Sequence, residues 1–222
     1  MNPTKPTLKT EIIPLLLIVF CFVASFYFYA HFPQRIATHW GFNGEPNGWS
    51  SALFAAFFFP FLNLGMYLLF LVIPFLDPKK DRYAEFTKAY HIFKGFIIGL
   101  LAIVYFMVGL NGIGYYVPVG SITPVMVGLL FIIIGNYLNK FKSNWMMGVR
   151  NPWTLSSETI WNKTHRLAGK IFILAGIAMT SEAWLPIWLQ LPIFITIITA
   201  VAIIPNVYSY ILYRAEQKEK NI

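Results

Sequence analysis

The chain has 222 residues, 57% of them hydrophobic, 18% aromatic and only 12% charged. A soluble domain carries roughly 25% charged residues, so this composition excludes an ordinary soluble fold and points to an integral membrane protein. The net charge of +8 would suggest nucleic acid as a partner of a soluble chain. In a membrane chain it reads instead as basic loops beside anionic lipid, with the bilayer as partner and no direct nucleic-acid contact.

The first apolar run, "IIPLLLIVFCFVASFYFYA", follows Lys5 and Lys9. It is longer than a signal-peptide core and ends in bulky aromatics, so it is expected to remain as an uncleaved first span. The single cysteine, Cys21, lies inside it and excludes an intrachain disulfide. A bilayer core of about 30 Å needs roughly 20 apolar residues as helix. Six stretches qualify: 12–30, 52–76, 95–115, 121–138, 167–184 and 192–213. Pro60 and Pro74 predict a kink in the second. In the third, Gly95, Gly99, Gly109, Gly112 and Gly114 predict close helix approach. Asn63, Asn111 and Asn136 read as polar contacts between helices.

Basic residues alternate between the loops. Lys5 and Lys9 precede the first span, and Arg35 alone follows it. Lys79, Lys80, Arg82, Lys88 and Lys94 lie between the second and third. Lys140, Lys142, Arg150, Lys163 and Arg166 lie between the fourth and fifth, and Arg214, Lys218 and Lys220 follow the sixth. The positive-inside rule then places both termini in the cytoplasm, the 31–51 loop outside and the 140–166 loop inside. The fold class expected is all-α, a polytopic bundle of six spans.

The outer loop, "HFPQRIATHWGFNGEPNGWSS", is rich in turn residues. His31, Arg35, His39, Trp40 and Glu45 carry its chemistry. Two histidines and a glutamate are a conceivable zinc set. The H-x7-H spacing is not a helical ligand pair and no third histidine follows, so no metal is expected. "FPQRIATHWGFNGEPN" resembles a domain of unknown function, DUF1648, at Pro33, Ile36, His39, Trp40, Gly44 and Asn47. It departs at Phe32 and Ala37, where that pattern prefers leucine and proline. The module comprises two spans and their external loop.

The inner stretch reads "GNYLNKFKSNWMMGVRNPWTLSSETIWNKTHRLAG". Pro152 biases Asn151 away from helix. Ser156 or Ser157 is placed to cap a new helix with Glu158 in its first turn. That helix would present Trp161 near the lipid headgroups. Arg150 is placed to stack on Trp153 or to bond loop carbonyls. The stretch is similar to the signature of the SdpI family, immunity and signalling proteins of a toxin system. The match lies at Gly135, Asn136, Asn144, Gly148, Arg150, Pro152, Trp153, Thr154, Leu155, Trp161, His165 and Arg166. Asn151 stands where the signature has threonine. The two modules divide the chain at 1–94 and 95–222.

The resemblance implies a non-enzymatic membrane protein without cofactor, protecting against a secreted peptide toxin. It also implies capture of a cytoplasmic winged-helix repressor. Recognition would fall to Arg35, His39, Trp40 and Glu45. Docking would fall to Asn144, Gly148, Arg150, Pro152, Trp153, Thr154, Trp161, His165 and Arg166, unless these residues lock the loop's fold. Two rivals are a transporter and a membrane metalloenzyme. The spans show few ionisable residues and no repeat, against the first. No HExxH occurs, against the second.

Overall fold

The computed structural model describes residues 3–220. Among these residues the chain forms seven α-helices and one β-hairpin. In order they are α1 (Leu8–His31), β1 (Arg35–Trp40), β2 (Pro46–Ser51), α2 (Ala52–Leu76), α3 (Tyr83–Gly112), α4 (Val119–Leu138), α5 (Pro152–Ser156), α6 (Glu158–Glu182) and α7 (Ile187–Lys220). The all-α bundle is as expected; the hairpin is an addition.

Five helical segments are long and apolar enough to cross a membrane: α1, α2, Lys80–Gly112 (which contains α3), α4 and α7. The fifth expected span corresponds to α6. That helix carries Glu158, Lys163, Arg166, Lys170 and Glu182 within 25 residues, and its polarity keeps it out of the five. α2 runs as one helix from Ala52 to Leu76 through both prolines. The non-helical residue lies in α3 instead, at Phe86 (φ −131°, ψ 24°).

The chain packs as two compact units, interleaved in sequence. One holds residues 6–72 and 91–123. Its α1 starts at Thr7, whose extended backbone and reciprocal bonds with Thr10 form a capping box. Its core sets Cys21 and Phe28 of α1 against Ala102 and Tyr105 of α3, with Phe32 and Phe59 at the margin. Phe28 stands where a Cβ at Gly109 would have to go, and Phe32 fills the same role at Gly112. Gly95 and Gly99 have nothing within 4 Å, so the expected glycine contact is made only by the later pair. Buried Asn63 donates to the Ile98 carbonyl at 3.1 Å, a polar contact between α2 and α3.

The same unit buries an ion pair. Lys94 Nζ lies 2.6 Å from each oxygen of Glu11. Tyr67 donates to that carboxylate at 2.9 Å and Thr10 at 2.8 Å. The position of Lys94 corrects its reading as a loop cation: it is 0% exposed, inside α3. The charge is tolerated there because every carboxylate lone pair has a donor.

The other unit holds, of the described residues, 3–5, 73–90 and 124–220. Here α4 and α6 meet through two glycine pairs. A Cβ at Gly135 would lie 2.6 Å from the Gly169 carbonyl oxygen, and one at Gly169 would lie 2.8 Å from that of Gly135. Gly128 and Gly176 face each other in the same way. Both pairs are seven residues apart on each helix, running in opposite directions, so the two backbones touch along an antiparallel seam. Ala175, Met179 and Ile197 bury the α6–α7 contact, with Val127 and Phe131 of α4 against them.

Candidate functional site

The outer loop is a hairpin. Arg35 pairs with Ser51, Ile36 with Ser50 and Ala37 with Trp49, and the register then shifts around His39 and Trp40. Bulges of this kind bend a short ribbon. The turn closes through Gly41 N to the Glu45 carbonyl at 2.9 Å, with Gly44 at φ +74°. A Cβ on Gly120 would lie only 3.0 Å from the Gly44 Cα, so the hairpin tip rests directly on the start of α4. Ile36, 1% exposed, anchors the hairpin to Ala55 and Val108, with Phe32, Trp40 and Phe59 around it. Phe32, a departure from the module's usual leucine, fills that apolar role.

Arg35, His39 and Glu45 face solvent, and Trp40 is half-buried. His39 Nδ1 donates to Asn47 Oδ1 at 2.5 Å. Glu45 accepts from Asn43 Nδ2 at 2.7 Å, and His31 Nδ1 donates to the Tyr27 carbonyl at 2.8 Å. His31, His39 and Glu45 thus serve different partners. Among the described residues no group of three or more His, Cys, Asp or Glu is placed to hold a metal.

The inner stretch builds a knot of polar bonds. Asn144, 0% exposed, uses its whole side chain. Nδ2 donates to the carbonyls of Lys142 (2.8 Å) and Met147 (3.1 Å), and Oδ1 accepts the amides of Met146 (2.9 Å) and Met147 (2.6 Å). That winds residues 142–147 into a turn and delivers Gly148 at φ +109°. A Cβ on Gly148 would run into His165 Nε2.

His165 closes the knot. Its Nδ1 donates to the Trp161 carbonyl at 2.8 Å, and its Nε2 accepts the Val149 amide at 3.0 Å. The pair of bonds selects the neutral ring with the proton on Nδ1. Burial pushes its pKa down to about 4, against a smaller upward pull from the Trp161 carbonyl. Trp161 stacks on it at 4.0 Å and donates Nε1 to the Phe141 carbonyl at 2.8 Å. Trp161 is 0% exposed. It therefore does not sit at a surface as the sequence led us to expect, because its indole is the wall on which the loop folds.

Asn151 caps α5. Its side chain accepts the Thr154 amide at 2.9 Å, and Thr154 Oγ1 accepts the Asn151 amide at 3.0 Å. Asn151 is extended, as expected, and Pro152 opens a short helix that the sequence reading did not foresee. Asn151 Nδ2 also donates to Asn206 and Ser209 of α7, both at 2.8 Å. A threonine lacks the second donor, so the departure from the signature ties the loop to α7. Ser157 caps α6 with Glu158 in its first turn.

Arg150 Nη1 donates to the Trp145 carbonyl at 2.6 Å, one of the two roles foreseen for it. Trp153 lies against Tyr210, with ring centroids 5.1 Å apart. Asn144, Thr154, Trp161 and His165 are buried, Trp153 is half-buried, and Gly148, Arg150, Pro152 and Arg166 are exposed.

Sequence reasoning missed the segment that braces this loop. Asp77, 2% exposed, accepts from the Lys79 amide (2.8 Å), the Tyr83 hydroxyl (3.0 Å) and the Trp145 amide (3.0 Å). Lys79 Nζ donates to Ser143 at 2.8 Å. Arg82 grips Glu158 through Nη1 at 2.7 Å and Nη2 at 2.6 Å, which holds that carboxyl below its usual pKa range. An aspartate closing an apolar run, before Pro78, was the available signal. Trp145 was also missed: its amide and carbonyl are both pinned by side chains, and its indole is 49% exposed.

These two constructions coincide with two family models. The first, a domain of unknown function (DUF1648), matches residues 16–64. The second, the SdpI/YfhL protein family, matches residues 140–209. A curated relative, "Immunity protein SdpI" of Bacillus subtilis (strain 168), is 26% identical over 207 residues, covering 93% of this chain and 97% of its own.

Over residues 140–209 the chain is similar to the SdpI/YfhL family. Within that segment Asn144, Thr154, Trp161 and His165 form the buried knot, Gly148 turns against His165 at its edge, and Arg150, Pro152 and Arg166 are exposed around it. With five helical segments of spanning length among the described residues, the chain is a multi-pass membrane protein. No solved structure matches it significantly.

Proposed function

We propose that the chain is a membrane immunity protein that protects its cell against a secreted antimicrobial peptide. The observation that carries this reading is the match to an immunity protein along 97% of that protein's length. In this reading α6 is a sixth span, both termini are cytoplasmic, and the hairpin faces outward. The exposed Arg35, His39 and Glu45, with Trp40 beside them, recognise the peptide.

The inner loop then faces the cytoplasm and docks a repressor of the winged-helix class. The buried signature residues hold the surface rigid, and Lys142, Arg150 and Arg166 supply contact charge. Residues 77–90 and 139–170 together hold ten basic and four acidic residues, a net +6 of the chain's +8. Such a surface favours an acidic partner face and a salt-sensitive encounter. No catalytic step is assigned to any residue.

The test is survival under toxin challenge beside membrane fractionation of a tagged repressor, on equally expressed variants. His39→Ala or Trp40→Ala should weaken protection. Lys142→Ala or Arg150→Ala should weaken recruitment and leave protection intact. If every stable inner-loop variant loses both in equal measure, the two-face reading is wrong. Unchanged survival on complete deletion would remove the immunity reading.

A further inference from the structure

The chain buries two glutamates in its helices and treats them in opposite ways. Glu11 receives Lys94, Tyr67 and Thr10. Glu182, in the last turn of α6, is 3% exposed, and among the described residues no hydrogen-bond partner reaches its covered Oε1. No ion pair involves it either.

Its surroundings offer no counter-charge. Glu182 is the sole ionisable side chain from residue 171 to residue 207. α7, which packs along α6, has no titratable group before Tyr208. α4 from Pro124 to Leu138 has none except Tyr137, and α5, near the opposite end of α6, has none. On α6 itself the next charge is Lys170, three turns away. Met179, one turn before Glu182, belongs to the apolar cluster with Ala175 and Ile197. The peptide dipoles of α6 also present their negative end here, which further disfavours an anion. An uncompensated carboxylate is strongly disfavoured in such a place, and the neutral acid avoids that penalty.

We propose that Glu182 is a proton-binding site, held as the carboxylic acid and exchanging its proton through the adjoining α6–α7 turn. The turn is short: Ala183 closes α6, Trp184 is exposed, and α7 begins at Ile187. Gln190 Nε2 stitches it by donating to the carbonyls of Glu182 (3.2 Å) and Leu185 (3.1 Å). Loss of the proton leaves a buried anion beside those two carbonyls, with no cation near. The turn must then open to hydrate it, so proton occupancy sets the conformation of this end of the α6–α7 pair. The site is independent of the toxin and repressor reading.

The experiment uses the full chain in phosphatidylcholine nanodiscs and the apolar reagent dicyclohexylcarbodiimide, which reacts with protonated carboxyls. Peptide mass spectrometry then locates the adduct. At pH 6.5 the label should fall on Glu182 roughly ten-fold more than on Glu11, whose two oxygens both accept from Lys94, and should decline about ten-fold per pH unit above the site's midpoint. Infrared spectra should show the carbonyl stretch of one buried acid, absent from Glu182→Gln. Should Glu182→Gln fail to fold, the pH dependence of the wild-type acid band decides alone. An unlabelled Glu182 together with no buried-acid band at pH 6.5 would overturn the proposal.

Discussion

His165 Nε2 accepts the amide hydrogen of Val149 at 3.0 Å, across a turn that Gly148 makes at φ +109°. Sixteen residues of chain separate the two, and the bond closes them into one loop. The imidazole must be neutral to accept it, because a protonated ring has only donors.

Stability should therefore depend on pH through this residue. Burial holds its folded pKa at about 4, below the ordinary histidine value of about 6.5. A lowered folded pKa means that the unfolded chain binds the proton more readily. The contribution is fully present above pH 6.5 and is lost as the pH falls toward 4, up to roughly 3 kcal/mol for a fully buried ring. Thermal unfolding in detergent at pH 7.5 and 5.0 measures it. His165→Gln should be less stable at pH 7.5 and show a shallower fall between the two.

Gly148→Ala should be among the most damaging single-methyl changes. It combines a left-handed backbone with a collision against the same imidazole. We expect a loss of about 2 kcal/mol or more, read as a lower unfolding temperature and reduced accumulation. Wild-type stability in this variant would show that the loop repacks freely.

The glycine seam gives a paired comparison. Gly135→Ala places a methyl 2.6 Å from the Gly169 carbonyl oxygen. That forces α4 and α6 apart, for about 1–3 kcal/mol. Gly95→Ala meets nothing within 4 Å and should be neutral or slightly stabilising, since alanine favours helix by about 1 kcal/mol. Equal effects would dismiss the seam.

The buried pair of Glu11 and Lys94 should show asymmetry. Lys94→Met removes the buried carboxylate's cation and leaves it the hydroxyls of Tyr67 and Thr10 with His91 nearby, and should cost about 3–5 kcal/mol. Combining it with Glu11→Gln should restore part of that loss. A double-mutant cycle by thermal unfolding decides it, and strict additivity would argue that the two charges do not depend on each other.

Orientation is checked by cysteine labelling in a Cys21→Ala background. Asn43→Cys, in the exposed hairpin tip, should react with an impermeant maleimide on intact cells. Lys163→Cys, exposed on α6, should react only after lysis. The reverse pattern would invert the assignment of both faces.

The local pattern of the sequence carries the helices far. The run at 52–76 needs no partner to be read, because a continuous apolar stretch of that length has little alternative in a bilayer. Asn151 and Ser157 likewise cap α5 and α6 through bonds within three residues of themselves. The alternation of basic loops comes from the same one-dimensional reading.

What only the tertiary structure decided are the contacts between distant segments. Nothing near Lys94 announces that its partner is Glu11, 83 residues away, so a buried cation reads as one more loop charge. The glycines of α4 and α6 become a seam only when the helices are set antiparallel; the glycines of α3 have the same composition and partly face open space. The signature fared in the same way. Its residues were legible as a set, but burial separated them: His165, Trp161, Thr154 and Asn144 went into the knot, and Arg150 and Arg166 stayed outside. Asp77 was invisible as a brace because its three donors come from two separate segments, and hydrogen bonding across such a gap leaves no periodic trace in the chain.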